Sequence, residues 1–407
     1  MVNIKLEHVS KSYGKTVALD DVTLEIHDKE YFIVLGPTGA GKTTLLKIIA
    51  GLIKPDEGRI YFDGEDVTDL PANKRNLGFV FENYALFRHM TVLENICYSG
   101  RVKDRDPEMT RALADQILMM TLLKGRNDAV PPELSGGMQQ RVALSRSLMN
   151  LEKTGLILLD EPLKALDAGL RMSLRKEIRD MAKSEYLELT AIHVTNEMEE
   201  AMMVADRIAV QDGAEIIQVG TPYEIYFRPK NLFVANFFSE INLFECKYVP
   251  SKKPGWNYTK NPTISLDFLS EHLKEENIAI LDLKAKSLFA VYLKSLSAED
   301  LKDGETVMLV VRANHMKIRL GNRTDEKHNS FLGKITRRKF MGVDYRFEVK
   351  VELNGVEKII VVTIPATYEI HDRYQVGAEV TVYFPRELGI VFKHIGEDHI
   401  KQIMNYE

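Results

Sequence analysis

The sequence is poor in cysteine, and that scarcity excludes several architectures at once. Only Cys97 and Cys246 occur in 407 residues, far apart in the chain. Two such thiols fit a reducing compartment and argue against a disulfide scaffold or a zinc site built from cysteine. Net charge is scarce too. The 54 basic side chains stand against 59 acidic ones, a formal charge of −5, so no global basic field draws the chain to nucleic acid or to an anionic membrane. No stretch approaches the ~18 uninterrupted apolar residues of a membrane span. The start MVNIKLEHVSKSYGK has no apolar signal-peptide core, from which a protein made and kept in the cytosol is expected. No solenoid period is visible. What is present, 45% hydrophobic and 28% charged residues, suits a globular chain long enough for two or three separate cores.

The texture changes once along the chain. Up to about position 230, apolar runs such as YFIVLG (31–36), LGFVF (77–81), TGLILLDEP (154–162) and LTAIHVT (189–195) alternate with helical segments. Continuously apolar strands followed by helices predict an α/β fold with a mostly parallel sheet covered on both faces. After FRPKNLFVANFFSE come shorter alternating runs, TVMLVV, YRFEVKVEL, EKIIVVTI and AEVTVYF, broken by Gly, Asn and Asp. They predict a small antiparallel barrel or sandwich. Within it DGETVMLVVRANHMKI and VGAEVTVYFPRELGIVF look related, each a glycine turn, a strand and a second short strand. The stretch 250–300 carries few signals.

Three motifs in the first region carry chemistry. GPTGAGKTT, the residues Gly36, Pro37, Thr38, Gly39, Ala40, Gly41, Lys42, Thr43 and Thr44, lies between an apolar strand and an apolar helix. That order suits a phosphate cradle: glycines let successive N–H groups turn inward, and the helix N-terminus adds its positive dipole end. Lys42 is then expected on the β- and γ-phosphates and the Thr43 hydroxyl on Mg²⁺. LILLDEP delivers Asp160 and Glu161 at a strand's C-terminal end, where ligands of parallel sheets sit. Asp160 is expected in the Mg²⁺ shell, and Glu161 as the base that polarises the attacking water. LSGGMQQR, Leu134 to Arg141, opens a helix with Ser135, Gly136 and Gly137. It is a second anion-binding helix terminus, which a single nucleotide in one compact fold does not need.

With these three motifs in order the chain resembles the ATP-binding cassette (ABC) family, and the resemblance covers nearly all of it. It implies a head-to-tail dimer in which each ATP is held by the loop of one protomer and the Ser-Gly-Gly turn of the other. It implies further that Tyr13 in KSYGK stacks on adenine and that His193 in AIHVTNEMEEA senses the γ-phosphate as a catalytic residue. Gln139 and Asp167 would reach the partner's ATP, the latter from PLKALD, which crosses the dimer. The implied layout is a P-loop NTPase cassette over 1–235, with a helical subdomain at about 85–155, followed by a β-rich, oligonucleotide-binding-like (TOBE) regulatory domain over 236–407. GTPYEIYFRPKNLFVANFFSEINLF is similar to the linker of binding-protein-dependent importers of sugars, polyamines, ferric iron, sulfate, molybdate or tungstate, and INLF looks more like the polyamine and inorganic-ion branch. The implied partners are a second copy of the chain, two permease subunits and, indirectly, an extracytoplasmic solute-binding protein. The chain would sit peripherally at the cytoplasmic face of the membrane, with no nucleic acid.

Departures from the family pattern are Glu82 in VFENYALF for the usual Gln, Lys164 for a Ser before the crossing loop, and Asn196 for the second His of HVTHD. Glu82 matters most, because the family's glutamine touches Mg²⁺ and water and relays contact with the permease. Two other readings follow from the residues. One is a soluble ABC ATPase acting on nucleic acid or ribosomes, although such chains usually carry two cassettes or a coiled-coil insertion. TRRKF (336–340), the one short basic cluster, reads as a solvated strand face. The other is a regulatory ATP-binding module with weakened hydrolysis, motivated by Glu82.

Overall fold

The computed structural model describes residues 2–151, 155–163, 179–180, 189–249, 278–283, 287–292, 301–322, 329–353 and 355–404. Asp167, Lys164 and most of 250–300 lie outside the described residues. The chain divides into two units, Met1–Ile225 and Tyr226–Glu407.

The first unit holds two sheets. Strands β1 (Ile4–Tyr13), β2 (Thr16–Ile26), β4 (Glu57–Phe62) and β5 (Glu65–Asp66) form an antiparallel sheet in the order β2-β1-β4-β5. β3 (Tyr31–Leu35), β6 (Gly78–Val80), β7 (Leu156–Asp160), β8 (Thr190–Thr195), β9 (Arg207–Asp212) and β10 (Glu215–Gly220) form the second, in the order β10-β9-β3-β8-β7-β6. Its pairs are parallel except the edge pair β10 and β9. Every residue of β3, β7 and β8 is buried, which explains why these strands read as unbroken apolar runs and not as alternation. Phe32, Val34, Leu158, Ile192, Val194 and Ala209 from the sheet share one core with Leu45, Leu46, Ile48 and Ile49 of helix α1 (Lys42–Ile49). The buried Arg75 guanidinium donates to the carbonyls of Ile48 and Ile49 at 3.0 and 2.7 Å, adding a side-chain donor at the end of α1.

Register decides where the site lies. Leu35 stands opposite both Thr195 and Val210, and Asp160 opposite Val194. The C-terminal ends of four strands therefore release their loops at one edge of the sheet. The helices α2 (Val92–Val102), α3 (Pro107–Met120) and α4 (Gly136–Met149) precede β7. Each begins at a side-chain cap. Thr91 and Glu94 form a reciprocal capping box on α2, Asp106 accepts from the Met109 N–H on α3, and Ser135 accepts from the Met138 N–H on α4.

In the second unit all described pairs are antiparallel. β11 (Ile241–Val249), β12 (Ile278–Leu283), β13 (Ser287–Tyr292), β14 (Thr306–Arg312) and β20 (Ile390–Lys393) form one five-stranded sheet. β15 (Lys317–Leu320), β16 (Asn329–Phe340), β17 (Asp344–Leu353), β18 (Val356–Pro365) and β19 (Glu379–Phe384) form the other. Both face one core, in which the Phe244 and Phe331 rings stack at 5.4 Å. The two related sequence pieces pair with each other: β14 lies against β20 and β15 against β19. The fully buried Arg312 guanidinium donates to the carbonyls of Ala235 (2.6 Å) and Tyr226 (2.7 Å) and to the Ser239 hydroxyl (2.6 Å), and it lies 4.2 Å from the Tyr226 ring centroid. Burial lowers its pKa to about 10. These bonds join the segment from Tyr226 to the second unit, ahead of the boundary expected at 235.

Candidate nucleotide-binding and catalytic site

The loop from Gly36 to Gly41 follows β3 and opens α1. It closes tightly at its back. A Cβ at Gly36 would collide with the Gln211 carbonyl, and one at Gly41, where φ is +99°, would collide with the Ala18 carbonyl. Glycine is therefore required at both positions for the backbone to approach its neighbours and to take a left-handed turn. Pro37 is half-buried, Thr38 and Gly39 are exposed and Ala40 is buried, so the outward face of the loop is backbone and small side chains. Lys42 is only 5% exposed, and its ammonium donates to the carbonyls of Gly36 (2.8 Å) and Pro37 (2.9 Å), folded over the loop that it would share with phosphates.

Thr43 and Asp160, 117 residues apart in sequence, meet directly: the threonine hydroxyl donates to the Asp160 carboxylate at 2.8 Å. Burial pushes the Asp160 carboxyl above the usual carboxylate range; the Thr43 bond and the Lys47 charge oppose this, while Glu161 and Glu82 add to it. The fields of all three acids thus overlap at one point. Glu82 itself is exposed. Glu161 turns out of β7 with φ at +43°, an uncommon conformation for a side chain of its size, and its N–H donates to the Val194 carbonyl at 3.0 Å. Among the described residues no three His, Cys, Asp or Glu side chains are grouped to hold a metal ion. Tyr13 ends β1 on the rim, 48% exposed, with the Lys11 ammonium 5.8 Å from its ring.

His193 does not stand where it was expected. It is 1% exposed inside β8, opposite Ile33 and Leu159, with its ring between the Tyr31 hydroxyl at 3.2 Å and the Glu200 carboxylate at 3.7 Å. A residue in mid-strand is enclosed by neighbours on both sides, whereas the residue leaving the C-terminal end of β8 is the exposed Asn196. The Ser135 and Gly136 turn is exposed and Gly137 is buried. Gln139 turns its amide inward, donating to the carbonyls of Pro131 (3.0 Å) and Leu134 (3.2 Å), so it braces this turn from behind.

Two further side chains support the site without a sequence signal of their own. Arg146 on α4 donates to the carbonyls of Tyr84 (2.9 Å) and Ala85 (2.7 Å), two consecutive residues with φ at +62° and +45° just after Glu82. The buried Asn95 amide donates to the carbonyls of Phe87, Met90 and Thr91 and accepts from the Phe87 N–H, fixing the rest of that loop. The same loop borders an open cleft of about 720 Å³ lined by Leu77, Phe79, Phe81, Phe87, Tyr98 and Val102 among others.

A glycine-rich loop between strand and helix, a lysine within it, a threonine bonded to the aspartate that ends another strand of the same sheet and a glutamate beside that aspartate define a P-loop nucleotide hydrolase. Residues 19–164 match the ABC transporter family and residues 309–392 the TOBE domain. The chain is 46% identical over 242 residues to the spermidine/putrescine import ATP-binding protein PotA of Protochlamydia amoebophila, covering 60% of this chain and 64% of that one. It is 34% identical to the protein of the same name from Haemophilus ducreyi, covering 88% of each. The fold of the first unit is also that of MJ1267, an ATP-binding cassette of an ABC transporter in its ADP conformation, at a TM-score of 0.51 and 24% identity over 57% of this chain and 98% of that one. The chain belongs to the ATP-binding cassette family, among the import ATP-binding subunits that carry a TOBE domain, and it is an ATPase.

Proposed function

We propose that this chain is the motor subunit of a polyamine importer, with an inorganic ion or a sugar as the alternative solute. It would work as a dimer beneath two permease subunits at the cytoplasmic face of the membrane, supplied by an extracytoplasmic solute-binding protein. The observation that carries the coupling is the continuity between Glu82 and the apolar cleft. Phe81 and Ala85, which flank Glu82 and its neighbours, line that cleft, so an apolar helix of a permease seated there would press on the loop that faces Asp160. No helix among the described residues is long and apolar enough to cross a membrane, and an ATPase acting in import needs a partner that does. The relatives' names, spermidine/putrescine import ATP-binding proteins, support the solute class.

In this reading the loop N–H groups and Lys42 hold the β- and γ-phosphates, Thr38 and Thr44 border them, and Tyr13 lies under the adenine. The Thr43 hydroxyl and the Asp160 carboxylate fit Mg²⁺, because the ion is usually bound by one or two protein oxygens together with phosphates and waters. Bound there it would neutralise phosphate charge. Glu161 accepts a proton from the water that attacks the γ-phosphate, giving ADP and inorganic phosphate. Asn196 at the exit of β8, and not the enclosed His193, is the residue set to donate to the γ-phosphate. Ser135, Gly136 and Gly137 complete the site from the second copy, with Asp167 crossing the same interface.

The test is affinity purification of the tagged full chain from solubilised membranes, combined with uptake of labelled spermidine and putrescine by cells with and without it. Two hydrophobic permeases should co-purify and be lost with Phe81→Asp, and uptake should depend on the chain. Purification without permeases would sink the motor role. Co-purification with unchanged polyamine uptake would leave the motor and discard the solute.

A further inference from the structure

Gln211 has no role in the reading above, and its surroundings ask for one. It ends the apolar run RIAVQ on β9, is 0% exposed, and neither its amide nitrogen nor its amide oxygen has a hydrogen-bond partner among the described residues. A buried amide left in that condition is costly. Such a group in a native structure calls for a strained, functional or ligand-linked explanation.

Its location indicates that partner. Val210 stands opposite Leu35, the last residue before the phosphate loop. Gln211 thus lies behind the loop, its carbonyl packed against Gly36 and its Nε2 2.9 Å from where a Cβ on Gly41 would be. A backbone that turns successive N–H groups towards an anion turns carbonyls away from it, towards the protein behind, where each needs a donor. Lys42 serves the carbonyls of Gly36 and Pro37. On the Gly41 side of the loop the adjacent side-chain donor is the Gln211 amide.

We infer that Gln211 is a positioning residue for the phosphate loop: when ATP draws the loop N–H groups inward, the Gln211 amide donates to a carbonyl that this rotation turns back, and so favours the nucleotide-bound loop. The inference rests on the reading of residues 36–44 as the ATP cradle. Gln211 touches no reacting atom, so it acts on affinity and not on the chemical step.

The experiment uses the full chain and compares Gln211→Leu and Gln211→Met with the unmodified protein by calorimetric titration with ATP, by thermal unfolding with and without ATP, and by steady-state hydrolysis. Loss of one hydrogen bond made only in the bound state should weaken ATP binding and raise KM about three- to tenfold, with kcat within about twofold. The nucleotide-free variants should unfold at a higher temperature, because the unpartnered amide is gone, while the stabilisation by ATP shrinks. A residue that merely fills space would move the unfolding temperature alone. ATP affinity within twofold of the unmodified chain in both variants would overturn the inference. If the leucine variant does not fold, Gln211→Met, close in length and without a donor, carries the comparison alone. Lys42→Ala separates the two readings: an unmodified chain that binds no ATP removes the cradle and the role of Gln211 together, whereas binding lost with Lys42→Ala and unaffected at Gln211 removes only the latter.

Discussion

The two units differ in where they place awkward backbone conformations. Every non-glycine residue with positive φ among the described residues lies in the first unit, including Tyr84, Ala85 and Glu161 around the site; in the second unit only glycines take such angles. Several buried polar groups of the second unit are committed to backbone. Arg312 holds two carbonyls and a hydroxyl, the Asn242 amide exchanges two bonds with Val361, and the Thr381 hydroxyl donates to the Gly321 carbonyl. In the first unit Gln211 is buried with no partner among the described residues, and the Asp160 carboxyl, which accepts from Thr43, is raised by burial. Strained backbone at Tyr84, Ala85 and Glu161 marks where a ligand is to act, and its absence suits a scaffold.

The largest effect should come from the strained glutamate. Glu161→Gln removes a proton acceptor while keeping shape, and loss of a general base costs about a hundred- to ten-thousandfold in rate. ATP affinity should stay within a few-fold, so a single-turnover assay and a binding titration on the same variant check it; near-normal hydrolysis would take Glu161 out of the role. Arg312→Met probes the other side of the comparison. It strips donors from the carbonyls of Ala235 and Tyr226 in a fully buried place, at about 3 kcal/mol. Thermal melts followed by scanning calorimetry should show the transition of residues 226–407 fall by several degrees, with ATP binding by the first unit unchanged. Equal loss of ATP binding would mean that the two units are not separate in their stability.

Arg146→Met comes next. Left-handed backbone costs about 1–2 kcal/mol per non-glycine residue, and Arg146 holds two such residues through their carbonyls. Without it the loop carrying Glu82 should relax, lowering kcat about fivefold with ATP affinity little changed, since the loop at 36–44 is untouched. Rescue by Arg146→Lys should be partial at most, because a single ammonium cannot reproduce the fork that spans both carbonyls. Full activity in the methionine variant would show that the loop is held by its other contacts, the Asn95 amide among them.

Much of this was legible in the sequence, and what was not shares a cause. The phosphate loop is contiguous and framed by apolar runs, so its nine residues, and Thr43 with Asp160, could be named from motif order alone. His193 and Asn196 are three positions apart near a strand end; one lies inside the sheet and the other beyond it, a difference that residue type does not report. Gln211 and Arg146 act on backbone many residues away, through carbonyls that carry no sequence identity. In the second unit the alternating strands were readable, but not that its two related pieces would pair with each other.

The smallest effect is expected at Glu82, where charge decides the outcome. A glutamine would both donate and accept, whereas an ionised glutamate only accepts, so it cannot donate to a γ-phosphate oxygen. A carboxylate is the better ligand for a hard cation. Glu82 is exposed, and its influence on Asp160 ranks below those of burial, Thr43, Lys47 and Glu161. Water and salt screen such a charge, so the substitution should change the rate by a few-fold and not by orders of magnitude. With three acids sharing one region, repulsion against the triphosphate is relieved only when a cation stands between them. The unmodified chain should therefore depend more steeply on Mg²⁺ and hydrolyse ATP more slowly than Glu82→Gln, about two- to fivefold at saturating metal. ATPase rates of the two proteins across a Mg²⁺ titration at constant ATP and ionic strength decide it. Superimposable curves would mean that this carboxylate has no part in metal binding or hydrolysis, and that a loop clamped by Arg146 carries Glu82 for contact with a partner alone.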